Sequence, residues 1–168
     1  MKVLIAGATG LTGQRVVRQL LDAGHQPVAL VRDSSDTSVL ADGCETRDGD
    51  LTDLADDVCK GMDAVIFAAG SGGSTSAEMT DKVDRDGAIS LIDSAKAADV
   101  KRFVMLSSRG AENPDPDSKL YHYLQAKHAA DEHLKASGLT YSIVRPVTLT
   151  KEDSSRDIRM GEDVDIEG

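Results

Sequence analysis

The chain has 168 residues, a formal net charge of −10 at pH 7, 40% hydrophobic residues and 3% aromatic residues. The length suits one compact domain, and a core poor in aromatic side chains must be built from Val, Ile, Leu and Ala, as in the buried strands of a parallel sheet. The acidic balance argues against nucleic acid or an anionic membrane as partners, because both are bound through basic surfaces, so we expect a small-molecule substrate.

The first half of the chain alternates strand-like and helix-like segments. KVLIAG (2–7) is an apolar run that ends in glycine, so it predicts a buried strand. LTGQRVVRQLLDAG (11–24) carries apolar residues at helical spacing and closes with a glycine, which predicts a helix. PVALVRD (27–33) predicts the second strand, and a weaker third strand lies within CETRDGD (44–50).

The elements that follow continue this alternation. They are, in order, a strand within MDAVIFAAG (62–70), a helix within GAISLIDSAKAAD (87–99), a strand within KRFVMLSS (101–108), a helix over 119–136 capped by Asp117 or Ser118, and a strand within LTYSIVRP (139–146). Strands that alternate with helices predict βαβ units, which build a parallel α/β sheet through right-handed crossovers. From Thr148 onward the sequence is polar and acidic without a clear period.

A glycine-rich turn, GATGLTG (7–13), lies directly between the first strand and the first helix. Glycines here allow a tight turn and close approach of the backbone to a pyrophosphate, while the start of the helix offers free N–H groups and a partial positive charge. A purely structural turn is the alternative, but the strand before the motif and the helix after it favour dinucleotide binding. The predicted cofactor contacts are Gly7, Thr9, Gly10, Leu11, Thr12 and Gly13.

The GxxGxxG spacing of this turn, together with the later VRDSS and YHYLQAK motifs, resembles the short-chain dehydrogenase/reductase superfamily in its extended and atypical branches, which include proteins named as NAD(P)-dependent sugar epimerases. The resemblance covers residues 1 to about 147. It implies a Rossmann-type, doubly wound parallel sheet with strand order 3-2-1-4-5-6 in a three-layer αβα arrangement, with a dinucleotide across the carboxyl ends of the strands.

The same resemblance divides the chain into two segments. Residues 1–147 are expected to form an NAD(P)-binding Rossmann domain, and residues 148–168 an acidic polar tail or the start of an incomplete substrate-binding portion. The superfamily fold continues past the sixth strand with elements that close the substrate pocket. Either this sequence is incomplete, or the protein is a reduced form with an open pocket, and the oligomeric state is expected to be a monomer or a homodimer.

The end of the second strand should select the cofactor. An acidic residue there accepts hydrogen bonds from the ribose of NAD, whereas an arginine attracts the extra phosphate of NADP. In VRDSS, Arg32 is followed at once by Asp33, so the two signals compete, and Ser34 and Ser35 offer hydroxyl donors to a phosphate. Family members with this VR ending resemble NADP binders. We therefore expect NADP, with NAD or a plain Arg32–Asp33 surface pair as the alternatives.

Two further stretches match cofactor contacts of the superfamily. Asp50 and Leu51 of GDLTD resemble the dipeptide that flanks the adenine, the carboxylate accepting from its exocyclic amine. Ala68, Ala69 and Gly70 resemble the small residues after the fourth strand, beside which the nicotinamide half runs close to the backbone. Small residues at a strand end are common, so these matches matter through their order behind the glycine turn.

A tyrosine and a lysine, Tyr123 and Lys127, lie four positions apart in a helix-like segment. A tyrosine can give a proton to the alkoxide left by hydride transfer, or take it in reverse, when a nearby ammonium lowers its pKa. Residues i and i+4 share a helix face, so Lys127 is such a neighbour. The resemblance implies this set, with Lys127 also holding the nicotinamide ribose and Ser108, or as second choice Ser107, holding the substrate oxygen. Chance pairing is the alternative.

The surroundings of Lys127 also favour a functional role. Leu120, Leu124, Lys127, Asp131 and Leu134 step by three or four and lie along one helical stripe. A lysine beside the apolar face is unfavourable without a partner or ligand, although its long side chain can also extend to water.

One position departs from the pattern of extended superfamily members. These carry asparagine at the start of an N-x-x-G stretch, where it supports the active-site lysine, whereas here DRDG places Asp84 ahead of Gly87. Atypical members often have this aspartate, many of them with a degraded active site. Asp84 is therefore a candidate member of the catalytic set, and three functions stay open: an NADP-dependent oxidoreductase or epimerase-like enzyme, a non-catalytic NADP(H)-binding redox sensor, and a flavin reductase-like use of the fold.

Cysteine usage and hydropathy bear on the compartment. Cys44 and Cys59 have neither metal-ligand nor redox spacing, the histidines are too scattered to share a metal, and no secretory signal precedes MKVLIAGATG. No apolar run approaches the roughly 20 residues that span a bilayer. We expect a cytoplasmic protein without a metal, whose aspartate-rich surface indicates either a salt-rich cytoplasm or selection for solubility.

Overall fold

The computed structural model describes residues 1–72, 75–147, 149 and 161. Six parallel strands form one sheet in the order β3-β2-β1-β4-β5-β6. Their bounds are β1 Lys2–Ala6, β2 Gln26–Val31, β3 Glu45–Asp48, β4 Ala64–Phe67, β5 Arg102–Leu106 and β6 Tyr141–Val144. The predicted Rossmann-type α/β sheet and its strand order 3-2-1-4-5-6, which the family resemblance implied, are confirmed.

The helices cover both faces of the sheet. They are α1 Leu11–Asp22, α2 Ala77–Thr80, a π-helical segment Asp81–Gly87, α3 Ala88–Ala97 and α4 Tyr121–Ala136, with a short 3₁₀ turn at Thr37–Val39. The core has two layers. Val17 of α1 packs with Val3 and Ile5 on one face, while residues of α3 and α4 such as Leu91 and Leu134 pack with the opposite face of the same strands.

The third helical region begins earlier than the sequence predicts. The helix predicted over 87–99 is the last part of a continuous run that starts at Ala77. The Ser76 side chain caps this run by accepting a hydrogen bond from the Met79 N–H at 3.2 Å. The polar sequence of 77–86 gives no apolar helical period, so the pattern did not reveal it.

Two other boundaries differ from the prediction. The second strand ends at Val31, so Arg32 is the first residue beyond it. The fourth helix begins at Tyr121, and the predicted caps are wrong: its N-cap is Leu120, without a side-chain cap. The Ser118 hydroxyl instead accepts a hydrogen bond from the Leu120 N–H at 3.1 Å in the turn ahead of the helix. Tyr123 therefore lies in the first turn of α4.

The predicted acidic segment 148–168 lies outside the described residues, apart from Leu149 and Gly161. Within the described ranges, no helix combines the length and the apolar character needed to cross a bilayer.

Candidate functional site

A cleft of about 320 Å³ opens where the carboxyl ends of the central strands meet one edge of the sheet. Parallel strands bring their carboxyl ends together, so residues far apart in sequence converge there. The lining residues come from α1, from the segments after β4, β5 and β6, and from α4; they are Thr12, Ala68, Ala69, Gly70, Leu106, Ser107, Ser108, Tyr123, Lys127, Pro146, Val147 and Leu149. Both predicted groups, the cofactor contacts and the catalytic set, thus contribute to one cleft.

The glycine turn is closed by its own backbone. Gly7 has φ +85, and its carbonyl accepts a hydrogen bond from the Gly10 N–H at 3.1 Å. A Cβ on Gly7 would lie 2.6 Å from the Ala69 backbone N, and one on Gly13 would lie 2.1 Å from the Gly7 O. Side chains at these two positions would therefore separate β1 from β4 and α1 from the turn.

The start of α1 suits an anion. Gly10 is its N-cap without a side-chain hydrogen bond, and the first turn contains no acidic residue. The N–H groups of the first turn, which have no acceptor within a helix, are therefore not occupied by a side-chain cap. Gln14 strengthens the turn by donating from Nε2 to the Thr9 O at 2.8 Å. These features fit the pyrophosphate of a dinucleotide.

Lys127 is buried in the wall of the cleft and meets a buried carboxylate. Its Nζ lies 3.0 Å from Oδ1 of Asp84, with side-chain exposures of 3% and 0%. The same Nζ donates to the Ala69 O at 3.4 Å and lies 5.3 Å from the centre of the Phe67 ring. The alternative in which Lys127 extends to water is therefore excluded, and the two opposite charges compensate each other inside the protein.

The π-helical segment aims Asp84 at the lysine. Asp84 Oδ2 accepts a hydrogen bond from the Ser71 N–H at 3.0 Å, which ties the segment to the chain after β4. Gly87, at the end of the segment, packs closely against Leu51: a Cβ there would be 2.7 Å from the Leu51 O. A π-helical hydrogen bond spans one residue more than an α-helical one, so the side chains in the segment point in different directions than they would in an α-helix. Such segments are frequent at functional sites.

Tyr123 faces the cleft beside Lys127, whose Nζ lies 5.7 Å from the centre of the phenol ring. The pKa of Tyr123 is raised from its usual value, mainly by burial and then by the negative charge of Asp84, while the Ser108 side chain lowers it as a hydrogen-bond partner. The expectation that this pKa is lowered is wrong here, because burial, followed by the negative charge of Asp84, raises it.

The two serines after β5 have different roles. Both contribute to the lining of the cleft, and Ser108 lies beside Tyr123; its role in holding the substrate oxygen stays a prediction. Ser107 is 4% exposed and donates its hydroxyl to Oδ2 of Asp131 at 2.9 Å. Asp131 also accepts from Nε of Arg145 at 3.0 Å. The sequence showed Asp131 on the stripe of Lys127 but gave no signal that it pairs with Arg145.

The remaining predicted contacts lie outside the cleft, at the ends of β2 and β3. Arg32 is exposed, and it forms no ion pair with any residue of the described ranges, which leaves the alternative of a surface pair with Asp33 without support. Asp50 Oδ1 accepts from the Thr52 N–H at 2.8 Å. This backbone hydrogen bond lowers the pKa of Asp50, and the charge of nearby Arg32 contributes in the same direction.

A family model described as NAD(P)H-binding matches residues 7–168. The chain belongs to this NAD(P)H-binding family. The resemblance to the extended and atypical branches of the short-chain dehydrogenase/reductase superfamily is thereby confirmed, as is the expectation of a nicotinamide dinucleotide site.

Similar proteins of this family include both named enzymes and a named assembly factor. The chain is 40% identical over 171 residues to the sugar epimerase-named YhfK of Bacillus subtilis, covering 98% of the chain and 80% of that protein. It is 32% identical over 148 residues to photosystem II assembly factor Ycf39 of Guillardia theta, covering 84% of the chain and 45% of that protein. A solved structure described as an NAD-dependent epimerase/dehydratase from Bacillus halodurans has a TM-score of 0.86 and 39% identity, covering 92% of this chain and 74% of that one.

Proposed function

We propose that this protein is an NADP(H)-dependent oxidoreductase or epimerase-like enzyme that acts on a carbonyl or hydroxyl group. The observation that carries the proposal is the convergence of Ser108, Tyr123 and Lys127 in one cleft beside the small residues after β4. The nicotinamide ring of the cofactor supplies or accepts the hydride when it is bound. The side chains of the protein then have to orient the substrate oxygen and move its proton.

Tyr123 is suited to the acid half of this chemistry. Because the pKa of its phenol is raised, mainly by burial, the hydroxyl keeps its proton at pH 7. A neutral phenol can donate that proton to the alkoxide that forms when a carbonyl is reduced. Ser108, beside the phenol in the cleft, offers a second hydroxyl to orient the same oxygen.

Lys127 and Asp84 act together in this proposal. The ammonium is held between the Asp84 carboxylate at 3.0 Å and the Ala69 carbonyl at 3.4 Å, so its position is fixed before any ligand arrives. A fixed ammonium in the cleft wall can donate to ribose hydroxyls of the cofactor. Asp84 therefore serves as the positioning residue for Lys127.

The preference for NADP rests on Arg32. Its exposed position just after β2, and the effect of its charge on the pKa of Asp50, support the proposal that its guanidinium lies near the adenine end of the cofactor. A guanidinium attracts the 2′-phosphate of NADP, which NAD lacks. Asp50 and Leu51 are proposed to flank the adenine on the same side.

The catalytic assignment is tested by comparing nucleotide binding with turnover. NADPH and NADH are titrated by fluorescence, and turnover is measured on a panel of carbonyl compounds for the wild type, Tyr123→Phe and Tyr121→Phe. Tyr123→Phe should bind NADPH normally and lose turnover by about 10²-fold to 10⁴-fold, the usual range for an acid/base group. Tyr121→Phe, on the same helix but outside the cleft lining, should behave as the wild type. Binding of neither nucleotide would overturn the proposal, and full activity of Tyr123→Phe would remove the role of the tyrosine.

Cofactor choice has its own matched pair of variants. Arg32→Gln should weaken NADPH by about tenfold or more, since a hydrogen bond to a charged group contributes about 1.5–3 kcal/mol, and should leave NADH unchanged. Arg18→Gln, at an exposed arginine of α1, is the control. Equal losses for both nucleotides in Arg32→Gln would contradict a phosphate contact.

A second candidate is a non-catalytic NADP(H)-binding sensor or regulator. The observation that favours it is the Asp84–Lys127 ion pair, which compensates the charge that would otherwise assist Tyr123. Ycf39, a relative named as an assembly factor, is consistent with such a role. NADPH binding without turnover on any carbonyl compound of the panel would support this candidate over the enzyme.

A further inference from the structure

The ends of β5 and β6 are held to α4 by a polar cluster, centred on a buried carboxylate, that takes no part in the proton transfer proposed above. We propose that this cluster, formed by Ser107, Asp131 and Arg145, is a positioning device that sets the Ser108 hydroxyl against the Tyr123 phenol. The inference rests on the proposed function, because the two hydroxyls matter only if they act on a substrate. Their mutual placement can nevertheless be measured without any reaction.

Asp131 is the centre of the cluster. It is 0% exposed, and its Oδ2 accepts from the Ser107 hydroxyl at 2.9 Å and from Nε of Arg145 at 3.0 Å, with Nη2 of Arg145 also at 3.0 Å. Both hydrogen bonds go to Oδ2, whereas Oδ1 has no hydrogen-bond partner among the described residues, so the position of the carboxylate depends on Ser107 and Arg145. The cluster therefore connects the ends of β5 and β6 to α4.

The cluster shares one helix with the proposed catalytic residues. Asp131 is one helical turn from Lys127 and two turns from Tyr123, and both Asp131 and Lys127 are buried residues of α4. The proposal predicts that a change in the cluster affects the environment of the phenol.

Ser107 determines which way Ser108 faces. In extended chain, successive side chains point to opposite sides, so a Ser107 side chain anchored on Asp131 turns Ser108 towards the cleft. Backbone bonds on both sides hold this register: the Ser107 N–H donates to the Val144 O at 2.8 Å and the Arg109 N–H donates to the Pro146 O at 3.0 Å. The arrangement fixes the orientation of Ser108 through its neighbour.

The pKa of Tyr123 reports whether Ser108 is in place. The Ser108 side chain lowers this pKa as a hydrogen-bond partner. Loosening Ser108 should therefore raise the pKa of Tyr123 further. Ser107→Ala removes one hydrogen bond to Asp131 without replacing the carboxyl group itself, so it is the mildest change that tests placement.

The experiment titrates protein labelled with 3-fluorotyrosine by ¹⁹F NMR, with the Tyr123 signal assigned from its loss in Tyr123→Phe. Fluorination lowers the pKa of a phenol, which keeps the titration at milder pH. Ser107→Ala should raise the pKa of Tyr123 in the same direction as Ser108→Ala. Ser94→Ala is the matched control, because Ser94 is also buried and hydrogen-bonded, to Asp56 and Cys59, but away from the cleft.

Kinetics provide the second measurement. Ser107→Ala should lower kcat on a turned-over carbonyl by about tenfold to a hundredfold, the scale expected for a misplaced catalytic group, with the NADPH dissociation constant unchanged. An unchanged or lowered pKa of Tyr123 in Ser107→Ala, or an equal rise in Ser94→Ala, would overturn the inference. If no carbonyl is turned over, the proposed enzyme activity fails, and the NMR titration still decides whether the cluster positions Ser108.

Discussion

Asp84 affects two residues of the cleft in different ways. Its carboxylate compensates the buried Lys127 ammonium at 3.0 Å, and the same negative charge helps to raise the pKa of Tyr123. An asparagine at this position would keep the shape of the side chain and an oxygen for the Ser71 N–H, but not the charge. A carboxylate rather than an amide at position 84 therefore changes the electrostatic environment of both Lys127 and Tyr123.

We predict that Asp84→Asn lowers the pKa of Tyr123. Removal of the anion takes away a cause of the raised value and leaves the ammonium of Lys127 uncompensated, and both changes favour tyrosinate. The ¹⁹F NMR titration of 3-fluorotyrosine-labelled protein measures this shift directly, and any activity limit that depends on the neutral phenol should move to lower pH.

Asp86→Asn is the control for this prediction. Asp86 lies in the same π-helical segment, but its side chain is 56% exposed and pairs with Arg85. Its charge is screened by water, so Asp86→Asn should leave the pKa of Tyr123 unchanged. An equal shift in both variants, or no shift in Asp84→Asn, would show that the buried ion pair does not control the phenol.

At the level of single elements, the glycine turn meets two requirements, close packing against α1 and space for the proposed cofactor. Substitutions at different glycines can separate them. Gly13 is needed for contact between α1 and the turn, since a Cβ there would lie 2.1 Å from the Gly7 O. Gly10 is exposed, and a Cβ there would meet only the Gly7 O at 3.3 Å. Gly13 is therefore required by the fold, and Gly10 leaves space where the proposed pyrophosphate would lie.

We predict that Gly13→Ala lowers the free energy of unfolding by about 2–4 kcal/mol, the scale of a severe steric conflict in a close-packed site. Gly10→Ala should lower it by less than about 1 kcal/mol yet weaken NADPH by about tenfold, which corresponds to about 1.4 kcal/mol. Urea denaturation and fluorescence titration measure the two quantities separately.

Gly24→Ala is the control variant in this series, because it introduces backbone strain without a steric conflict. Gly24 has φ +73 with nothing within 4 Å of a Cβ, so alanine there should cost about 1–2 kcal/mol without affecting NADPH. If Gly10→Ala binds NADPH as well as the wild type, the turn does not approach the cofactor as proposed.

The strands and the glycine turn could be predicted from the sequence, because local patterns specify them: short apolar runs, glycine after the strand and helical periodicity behind it. The π-helical segment could not, since 81–87 is polar and its geometry depends on a carboxylate meeting Lys127 from another element. The orientation of Ser107 and Ser108 was likewise open, because alternation predicts opposite directions without saying which serine faces the cleft. The Asp131–Arg145 pair joins residues of α4 and the end of β6, which no local pattern relates.

At the level of the whole molecule, charge is the dominant feature. Nineteen basic and 29 acidic residues give a net charge of −10, so the folded state concentrates negative charge that the unfolded chain disperses. The Lys127–Asp84 pair is buried and weakly screened, whereas exposed pairs such as Lys135–Glu132 contribute little even without salt. Added salt should therefore remove more repulsion than attraction.

We predict that the Tm at pH 7.5 rises as NaCl increases from about 0.01 M to about 0.15 M, where the screening length falls from about 30 Å to about 8 Å. The same series near pH 4.7, close to the isoelectric point, should show little change, because the net repulsion is nearly absent there. A constant or falling Tm at pH 7.5 would contradict the prediction. A plateau above 0.15 M indicates simple screening, whereas a rise that continues beyond about 1 M, where screening is already complete, would favour adaptation to a salt-rich cytoplasm.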